Sequence, residues 1–454
     1  MRYLPHTEEE IREMLAVAGM SDIDDLFRSI PEEAKFHGKL ELPAPLGEAR
    51  LMRHVAQIAE KNQAASMVSF LGCGAYAHHV PPAVDQLLLR SEFYTAYTPY
   101  QPEVAQGTLQ AIWEFQTMVS ELYGLPLANA SLYDGASATA EGVLMARRLT
   151  KRDEVLMSEC VHPHYRETTA AYLAGGTPDS LKELPLGSDG AADIDTILQT
   201  LSESTACVVV GSPSYVGPLP ELEKLSEACH SVGALLVVCV VEPYALALVK
   251  PPGHCGADIV VGEGQPIACP PQYGGPGVGL LACRHERKYL QQLPGRVCGE
   301  TVDQDGKQGF VLTLSTREQH IRRHRATSNI CTNQGLLALA FTIRIALLGK
   351  SGFVEVAKQC LAKAHYLRTS LCELDGVEDP YPGSRIFNEF AIRLTAKNTD
   401  ELLTSLEKKN ILGGIALSKF SKDRGDQILL AVTEQHTRED LDLLVSSLRE
   451  IIKA

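Results

Sequence analysis

Three neighbouring stretches decide the fold: TACVVVG at residues 205–211, LPELEKLSEACHSVG at 219–233 and ALLVVCVV at 234–241. The first and third are continuous apolar runs rich in β-branched residues, which is typical of parallel strands buried on both faces. The middle stretch places Leu222 and Cys229 on one face of a helix. Together they predict a strand, a crossover helix and a second strand of one parallel sheet.

Two more apolar runs extend this sheet, ADIVVG at 257–262 and VGLLAC at 278–283. They predict a large α/β domain over residues 66–315. After a helical stretch from about Asn333, strand and helix patterns continue to a last helix capped by Thr437. This second pattern predicts a small C-terminal α+β domain over residues 316–454.

The N-terminal residues 1–65 are predicted to form a helical extension. Thr7 and Glu10 have the spacing of a capping box, and Gly19 is a stop signal after the first helix. A second amphipathic segment covers about 47–63. We expect these helices to pack on a body or on a partner.

Composition excludes several classes of protein. A net charge of -14 argues against a nucleic-acid or anionic-membrane partner. The N-terminus has no apolar leader core, and the apolar run 335–349 carries Arg344 and is too short to span a bilayer. Twelve cysteines without any CxxC pair indicate a reducing compartment. We therefore expect a cytoplasmic protein.

This layout of extension, large α/β domain and small α+β domain resembles the aspartate-aminotransferase-like fold (fold type I) of pyridoxal phosphate (PLP)-dependent transferases. Such enzymes need a Schiff-base lysine, an acid for the pyridine nitrogen and a flat side chain to stack on the ring. The only acid between ALLVVCVV and Asp258 is Glu242, and no lysine occurs between Lys250 and Lys288. The loop YDGASATAEG at 133–142 could hold a phosphate at a helix start but has no stacking group after Tyr133. All three determinants are degraded together.

Longer motifs make the resemblance specific. The chain is similar along its whole length to glycine decarboxylase, the P-protein of the glycine cleavage system, and within that family to the alpha-type half, subunit 1. The stretches that carry the similarity are TAYTPYQPEVAQG (95–107), EFQTMVSELYGLP (114–126), YDGASA (133–138), VGEGQP with YGGPGVG (261–266 and 273–279) and RRHRATSNICTNQ (322–334).

The resemblance implies that a beta-type subunit carries PLP and its lysine, and that the two chains form an α2β2 heterotetramer. It implies decarboxylation of glycine and transfer of the aminomethyl group to the lipoyl arm of H-protein. No catalytic residue is then expected in this chain.

Two loops supply the candidate site residues. Under the resemblance, the tyrosine loop, residues 95–103, lines the glycine site, whereas in an anonymous protein it would be loop packing. Its candidates are Tyr97, Thr98, Tyr100, Gln101 and Glu103. The ATSNI segment, residues 326–330, is similar to a segment that related enzymes send to a neighbour's cofactor phosphate, with Thr327, Ser328 and Asn329 as candidates.

Other interpretations stay open or fail. His162 and His164 are too few for a metal site, so no metal is expected. YGGPGVG precedes a strand instead of opening a helix, so it is not a dinucleotide fingerprint. Two alternatives to the hypothesis of a subunit that completes its partner's active site remain. One is a self-sufficient PLP enzyme that uses another lysine, such as Lys250, and the other is a scaffold subunit without catalytic contact.

Overall fold

The structure is a computed structural model that describes residues 5–395 and 398–453. The chain forms two compact units, one ending at Gln63 and the other beginning at Ala64. The expected boundary between 315 and 316 lies inside the second unit. The three-part division at 65 and 315 stays a prediction.

The helices of the described residues are α1 (Glu8–Val17), α2 (Glu48–Ala59), α3 (Pro82–Leu88), α4 (Ser91–Tyr94), α5 (Gln106–Tyr123), α6 (Gly135–Thr150), α7 (Pro163–Ala174), α8 (Ile194–Thr200), α9 (Leu222–Ser231), α10 (Gln265–Ala268), α11 (Arg287–Gln292), α12 (Gln319–Arg322), α13 (Gly335–Cys372), α14 (Thr399–Glu407) and α15 (Arg438–Lys453). The strands are β1 (Val68–Ser69), β2 (Leu127–Ala128), β3 (Glu154–Ser158), β4 (Leu181–Leu184), β5 (Thr205–Gly211), β6 (Leu235–Val240), β7 (Ile259–Glu263), β8 (Gly279–Cys283), β9 (Val297–Val302), β10 (Gln308–Thr313), β11 (Val377–Glu378), β12 (Glu389–Leu394), β13 (Ile411–Leu412), β14 (Ile415–Ala416) and β15 (Gln427–Ala431).

The first unit contains α1 and α2. Thr7 and Glu10 form the predicted capping box at the start of α1, and Gly19 adopts the left-handed φ of +71° just past its end. Helix α2 ends at Ala59, before the predicted residue 63, and none of its residues is buried. This unit therefore exposes apolar side chains along its length.

A seven-stranded sheet forms the centre of the second unit, in the order β2-β8-β7-β6-β5-β3-β4. Strands β4, β3, β5, β6 and β7 are parallel, whereas β8 is antiparallel to β7 and β2 is antiparallel to β8. The predicted strands at 257–262 and 278–283 are confirmed, but the sheet is mixed. The link from β7 to β8 holds only the short α10 and a glycine-rich turn, so the chain returns without a crossover helix.

Both faces of this sheet are buried. Along β5, Cys207 and Val209 join an apolar cluster with α6, while Val208 and Val210 join another with α5 and α9. Each side chain of this kind contributes about 1.5 to 3 kcal/mol when it is fully buried. The continuous apolar runs are thus explained by helices on both faces.

The C-terminal part has a four-stranded antiparallel sheet in the order β11-β12-β15-β14. Helices α14 and α15 and the second half of α13 bury their apolar faces in one cluster with it. The short β1 pairs with β13, so the chain enters the second unit beside its C-terminal part. The predicted small α+β arrangement is present.

The long helix α13 links the two parts of the second unit. Within the described ranges it is the one helix long and apolar enough by composition to cross a membrane. However, Phe341 and Ala357 are fully buried in the core around the large sheet, and Leu367 is buried in the C-terminal cluster. Two helical segments meet at Gly349, whose φ of 58° and ψ of -176° are not helical. We interpret α13 as a core helix.

Candidate active-site face

The tyrosine loop forms a stiff, partly exposed edge between α4 and α5. Pro99 is buried and anchors the loop, whereas Tyr97 and Tyr100 are 80% and 62% exposed. Gln101 and Glu103 are also exposed. Among the described residues, the side chains of Tyr97, Gln101 and Glu103 have no hydrogen-bond or ion-pair partner. These three groups are therefore available to a ligand or to another chain.

A buried arginine, Arg296, holds the other two candidates of this loop. Its Nη1 donates to Thr98 Oγ1 at 2.7 Å and its Nη2 to the Tyr100 hydroxyl at 3.2 Å. The guanidinium also lies 5.3 Å from the centre of the Tyr100 ring. Its Nε is 3.6 Å from Glu318 Oε2, which supplies a counter-charge. The guanidinium of Arg296 thus restrains both Thr98 and Tyr100 on the buried side of the loop.

The tyrosine loop and the start of α13 enclose a small cavity of about 110 Å³. Tyr97 and Thr98 contribute one side of it, and Thr332 and Asn333 contribute another. Asn333 is itself fixed, since its Nδ2 donates to the Ala130 carbonyl at 2.9 Å. The loop therefore meets the residues that directly follow the ATSNI segment.

The ATSNI candidates lie beside this cavity and do not line it. The Thr327 amide donates to the Arg317 carbonyl at 3.2 Å, and Ser328 Oγ accepts from the Ile330 amide at 3.0 Å. Asn329 is exposed, while Thr327 and Ser328 are half-buried. Burial raises the pKa of the nearby Glu141 carboxyl group, although Ser328 and Arg148 act to lower it. A shared cofactor contact of all three residues stays a prediction.

Glu242, the acid that follows β6, is engaged with a buried histidine. His78 lies between two carboxylates, with Nε2 at 2.9 Å from Glu242 Oε2 and Nδ1 at 2.6 Å from Glu434 Oε2. Burial works against the charge of His78, but Glu242 and the surrounding hydrogen bonds raise its pKa well above the usual value. Burial likewise opposes charge on Glu434, yet its bond with His78 lowers the pKa of that carboxyl to about 2. The group is an imidazolium between two carboxylates.

Cys360 completes a cluster with His78 and Glu434 that has the residue types of a metal site. Two ligand atoms on a tetrahedral zinc ion, at bond lengths of about 2.1 Å, lie about 3.4 Å apart. The 2.6 Å separation between His78 Nδ1 and Glu434 Oε2 is instead that of a charge-assisted hydrogen bond. We therefore assign an ion pair and no metal here.

Nor do His162 and His164 form a metal pair. His162 Nε2 donates to the Cys73 carbonyl at 2.9 Å, and its Nδ1 accepts from the His164 amide at 3.2 Å. Burial lowers the pKa of His162 to about 4, so this ring is neutral at pH 7. Both of its nitrogens are used within the chain.

The pocket at the carboxyl ends of the strands does not fit PLP. It is bounded by Tyr76, His162, Glu242 and Glu389, among others, and its volume is only about 10 Å³. One water molecule needs about that much space. Helix α10, directly after β7, holds Gln265 and Pro266 where a Schiff-base lysine would be expected, and both are buried. A pyridine ring with its phosphate cannot enter this arrangement.

The GCGAY segment, residues 72–76, fills the pocket at the carboxyl ends of the strands. Cys73 and Tyr76 both donate to the buried Glu389, through the Cys73 amide at 2.6 Å and the Tyr76 hydroxyl at 2.8 Å. Gln265 exchanges two hydrogen bonds of 3.3 Å with the backbone of Tyr76. Burial raises the pKa of Glu389 to about 8. The pocket is thus occupied by the chain's own polar groups.

Sequence reasoning missed Arg296, Glu389 and Glu263. Arg296 lies between Gly295 and Val297 at the start of β9, and no periodicity marks it as buried. Glu389 is the first residue of β12, where an acid normally faces solvent. For Glu263 a signal existed, because a carboxylate inside VVGEG interrupts an apolar run at a strand end.

Comparisons with known proteins agree with one another. The family profile described as "Glycine cleavage system P-protein" matches residues 1–448. A curated relative, "Probable glycine dehydrogenase (decarboxylating) subunit 1" from Sorangium cellulosum (strain So ce56), is 56% identical over 450 residues, or 99% of each chain. Among solved structures, an inhibitor-bound glycine decarboxylase (P-protein) of the glycine cleavage system is 45% identical, with a TM-score of 0.89 over 99% of this chain and 100% of that one. A sphingosine-1-phosphate lyase from Burkholderia pseudomallei K96243 shares the fold, at a TM-score of 0.68 and 15% identity over 93% and 95% of the two chains.

Proposed function

The chain belongs to the glycine cleavage system P-protein family and has fold type I of the PLP-dependent transferases, and from this premise we propose its role in the enzyme. It acts as the alpha-type subunit of glycine decarboxylase, in an α2β2 heterotetramer with a beta-type subunit that carries PLP on its own lysine. The complex decarboxylates glycine and transfers the aminomethyl group to the lipoyl group of H-protein. It works in the cytoplasm.

One observation carries this proposal: the chain's own pocket is filled by its own side chains, while the tyrosine loop directs free polar groups outward. A pocket of about 10 Å³ leaves no place for the cofactor within the chain. PLP on the partner would supply the electron sink for decarboxylation. The exposed side chains of Tyr97, Gln101 and Glu103 would then complete the wall of the partner's site.

Arg296 gives the wall its rigidity. It holds the Thr98 and Tyr100 hydroxyls with two hydrogen bonds from a charged donor. Bonds of this kind are worth about 1.5 to 3 kcal/mol when they are buried. Because preorganised groups lose little freedom when the substrate binds, the loop can orient glycine and exclude water from one side of the site.

The N-terminal unit supports the existence of a partner. Its exposed large apolar side chains include Val17 at 91% exposure and Leu42 at 74%. The others in this unit with at least half of their surface exposed are Leu26, Phe36, Leu40, Met52, Val55 and Ile58. A stretch of 63 residues with so many exposed apolar groups is typical of a surface that another chain covers.

The runner-up, a self-sufficient PLP enzyme, would need a lysine near the pocket. Lys250 is exposed, and its Nζ lies 3.1 Å from Glu223 Oε1 in a surface ion pair. None of the described residues that bound the pocket is a lysine. The geometry therefore favours a lysine on the partner.

The scaffold alternative is tested in the reconstituted complex by glycine-dependent CO2 exchange with lipoylated H-protein. Tyr100→Phe and Glu103→Gln are expected to lower turnover at least several-fold with little change in Tm, because these groups act on substrate position. Glu203→Gln is a matched control, since Glu203 is exposed just before β5 and does not line the cavity beside the tyrosine loop. If Tyr100→Phe and Glu103→Gln both turn over at the unmodified rate, the chain is a scaffold.

A further inference from the structure

The start of α6 is a helix terminus of the type that binds anions, and it is already occupied. Gly135, the first residue of this 16-residue helix, donates its amide to Glu263 Oε2 at 2.9 Å. Asp134 caps the same turn by accepting from the Ser137 amide at 2.7 Å. Amides at a helix start carry partial positive charge, so they favour phosphates and carboxylates.

Glu263 is bound there in the manner of a ligand. Its other oxygen, Oε1, accepts from the Gln265 amide at 2.9 Å and from the Val278 amide at 2.8 Å. Three backbone amides from α6, α10 and the approach to β8 thus converge on one carboxylate that is only 6% exposed. In the described part of the chain no lysine or arginine forms an ion pair with it. Backbone amides alone provide the anion site.

Two glycines pack closely around this carboxylate. A Cβ atom at Gly277 would lie 2.8 Å from Glu263 Oε2, and one at Gly135 would lie 2.2 Å from the Tyr165 hydroxyl. Both positions therefore need glycine for close approach. The site is shaped around the glutamate side chain.

We propose that the Glu263 carboxyl group permanently occupies the helix start in loop 133–142, where the sequence indicated that a phosphate could be held, and takes the place of that phosphate. The chain packs closely around this carboxyl group, and the three amides have an acceptor without a cofactor phosphate. The inference concerns the fold of this chain and stands whether or not the tyrosine loop contributes to catalysis.

Chemical rescue tests the inference. Glu263→Ala removes the carboxymethyl group and leaves three buried amides without an acceptor, and formate or acetate can replace the lost carboxylate. Burial raises the pKa of Glu263 to about 7, although the three amides oppose the rise, so the test is performed at pH 8. With the full-length variant, we expect a lower Tm than the unmodified chain and a saturable recovery of a few degrees in formate.

Controls separate rescue from salt effects. Sodium chloride of equal ionic strength should not restore the variant, and formate should not change the Tm of the unmodified chain or of Glu223→Ala, which alters an exposed carboxylate. Inorganic phosphate should likewise leave the unmodified chain unchanged. If Glu263→Ala aggregates, its refolding yield in formate against chloride is the readout.

Two results would overturn the inference. One is a Glu263→Ala variant that formate and acetate neither stabilise nor help to refold. The other is an unmodified chain whose Tm rises saturably with inorganic phosphate and not with chloride, because the cradle would then be open to external anions.

Discussion

Replacing Arg296 by methionine tests the link between the buried cation and the tyrosine loop. Methionine keeps an unbranched apolar stem but removes the donors to Thr98 Oγ1 and to the Tyr100 hydroxyl. Thr98 is half-buried, so its bond counts at about 1.5 to 3 kcal/mol. Tyr100 is largely exposed, and its hydroxyl can turn to water, so that contact adds at most about 1 kcal/mol. The loop thus loses about 1.5 to 4 kcal/mol of restraint.

A loss of this size changes the population of the ordered loop. Since about 1.4 kcal/mol corresponds to a factor of ten, we expect kcat/KM for glycine to fall at least tenfold in the reconstituted complex. Thr98→Val isolates the larger contact and should give most of the effect. The assay is glycine-dependent CO2 exchange with H-protein, measured across glycine concentrations.

Arg152→Met is the matched control. Its guanidinium donates to the Thr205 and Val232 carbonyls at 3.0 and 2.9 Å, at the amino-terminal end of the sheet. That variant should lose comparable stability and retain normal turnover. If the Arg296→Met complex assembles and its kcat/KM stays within twofold of the unmodified enzyme, Arg296 does not position the loop.

Three other outcomes are expected. Burial raises the pKa of Glu389 from 4.5 to about 8, so its stabilising effect is complete below pH 4.5 and is lost as the pH rises through 8. The Tm of Glu389→Gln should therefore rise relative to that of the unmodified chain between pH 5 and 9. A difference in Tm that stays constant over this range would contradict this. Thr327→Ala should weaken PLP retention by the complex about 10- to 150-fold in dialysis, as for loss of one bond to a charged phosphate, and unchanged retention would exclude the contact. The isolated chain should self-associate in light scattering and gain Tm with the beta-type subunit, whereas a stable monomer indifferent to that subunit would refute the assembly.

Patterns of apolar residues predicted most of the fold. The continuous runs at 205–211 and 234–241 are β5 and β6, and the capping box at Thr7 starts α1, because burial on both faces and a local hydrogen-bond pair are properties of short segments. The antiparallel return of β8 was not predicted. The antiparallel direction of β8 follows from the absence of a crossover helix between β7 and β8. A short apolar run by itself does not indicate whether a strand is parallel or antiparallel to its neighbour.

The site was predicted less completely for a physical reason. Tyr97, Gln101 and Glu103 lie in a proline-stiffened loop, which local sequence shows. Arg296 contacts that loop from almost 200 positions away, and Glu263 bonds Gly135 across 128 positions. Such contacts arise only when separate elements pack together, so residue spacing along the chain does not predict them.

The location of the cofactor tests the central claim most directly. The reconstituted complex, loaded with PLP, would be reduced with borohydride, digested and mapped by mass spectrometry. We expect one pyridoxyl-lysine, on a peptide of the beta-type subunit, and none on any peptide of this chain. A pyridoxyl-lysine at stoichiometric yield on a peptide of this chain, at Lys250 or any other lysine, would contradict the account.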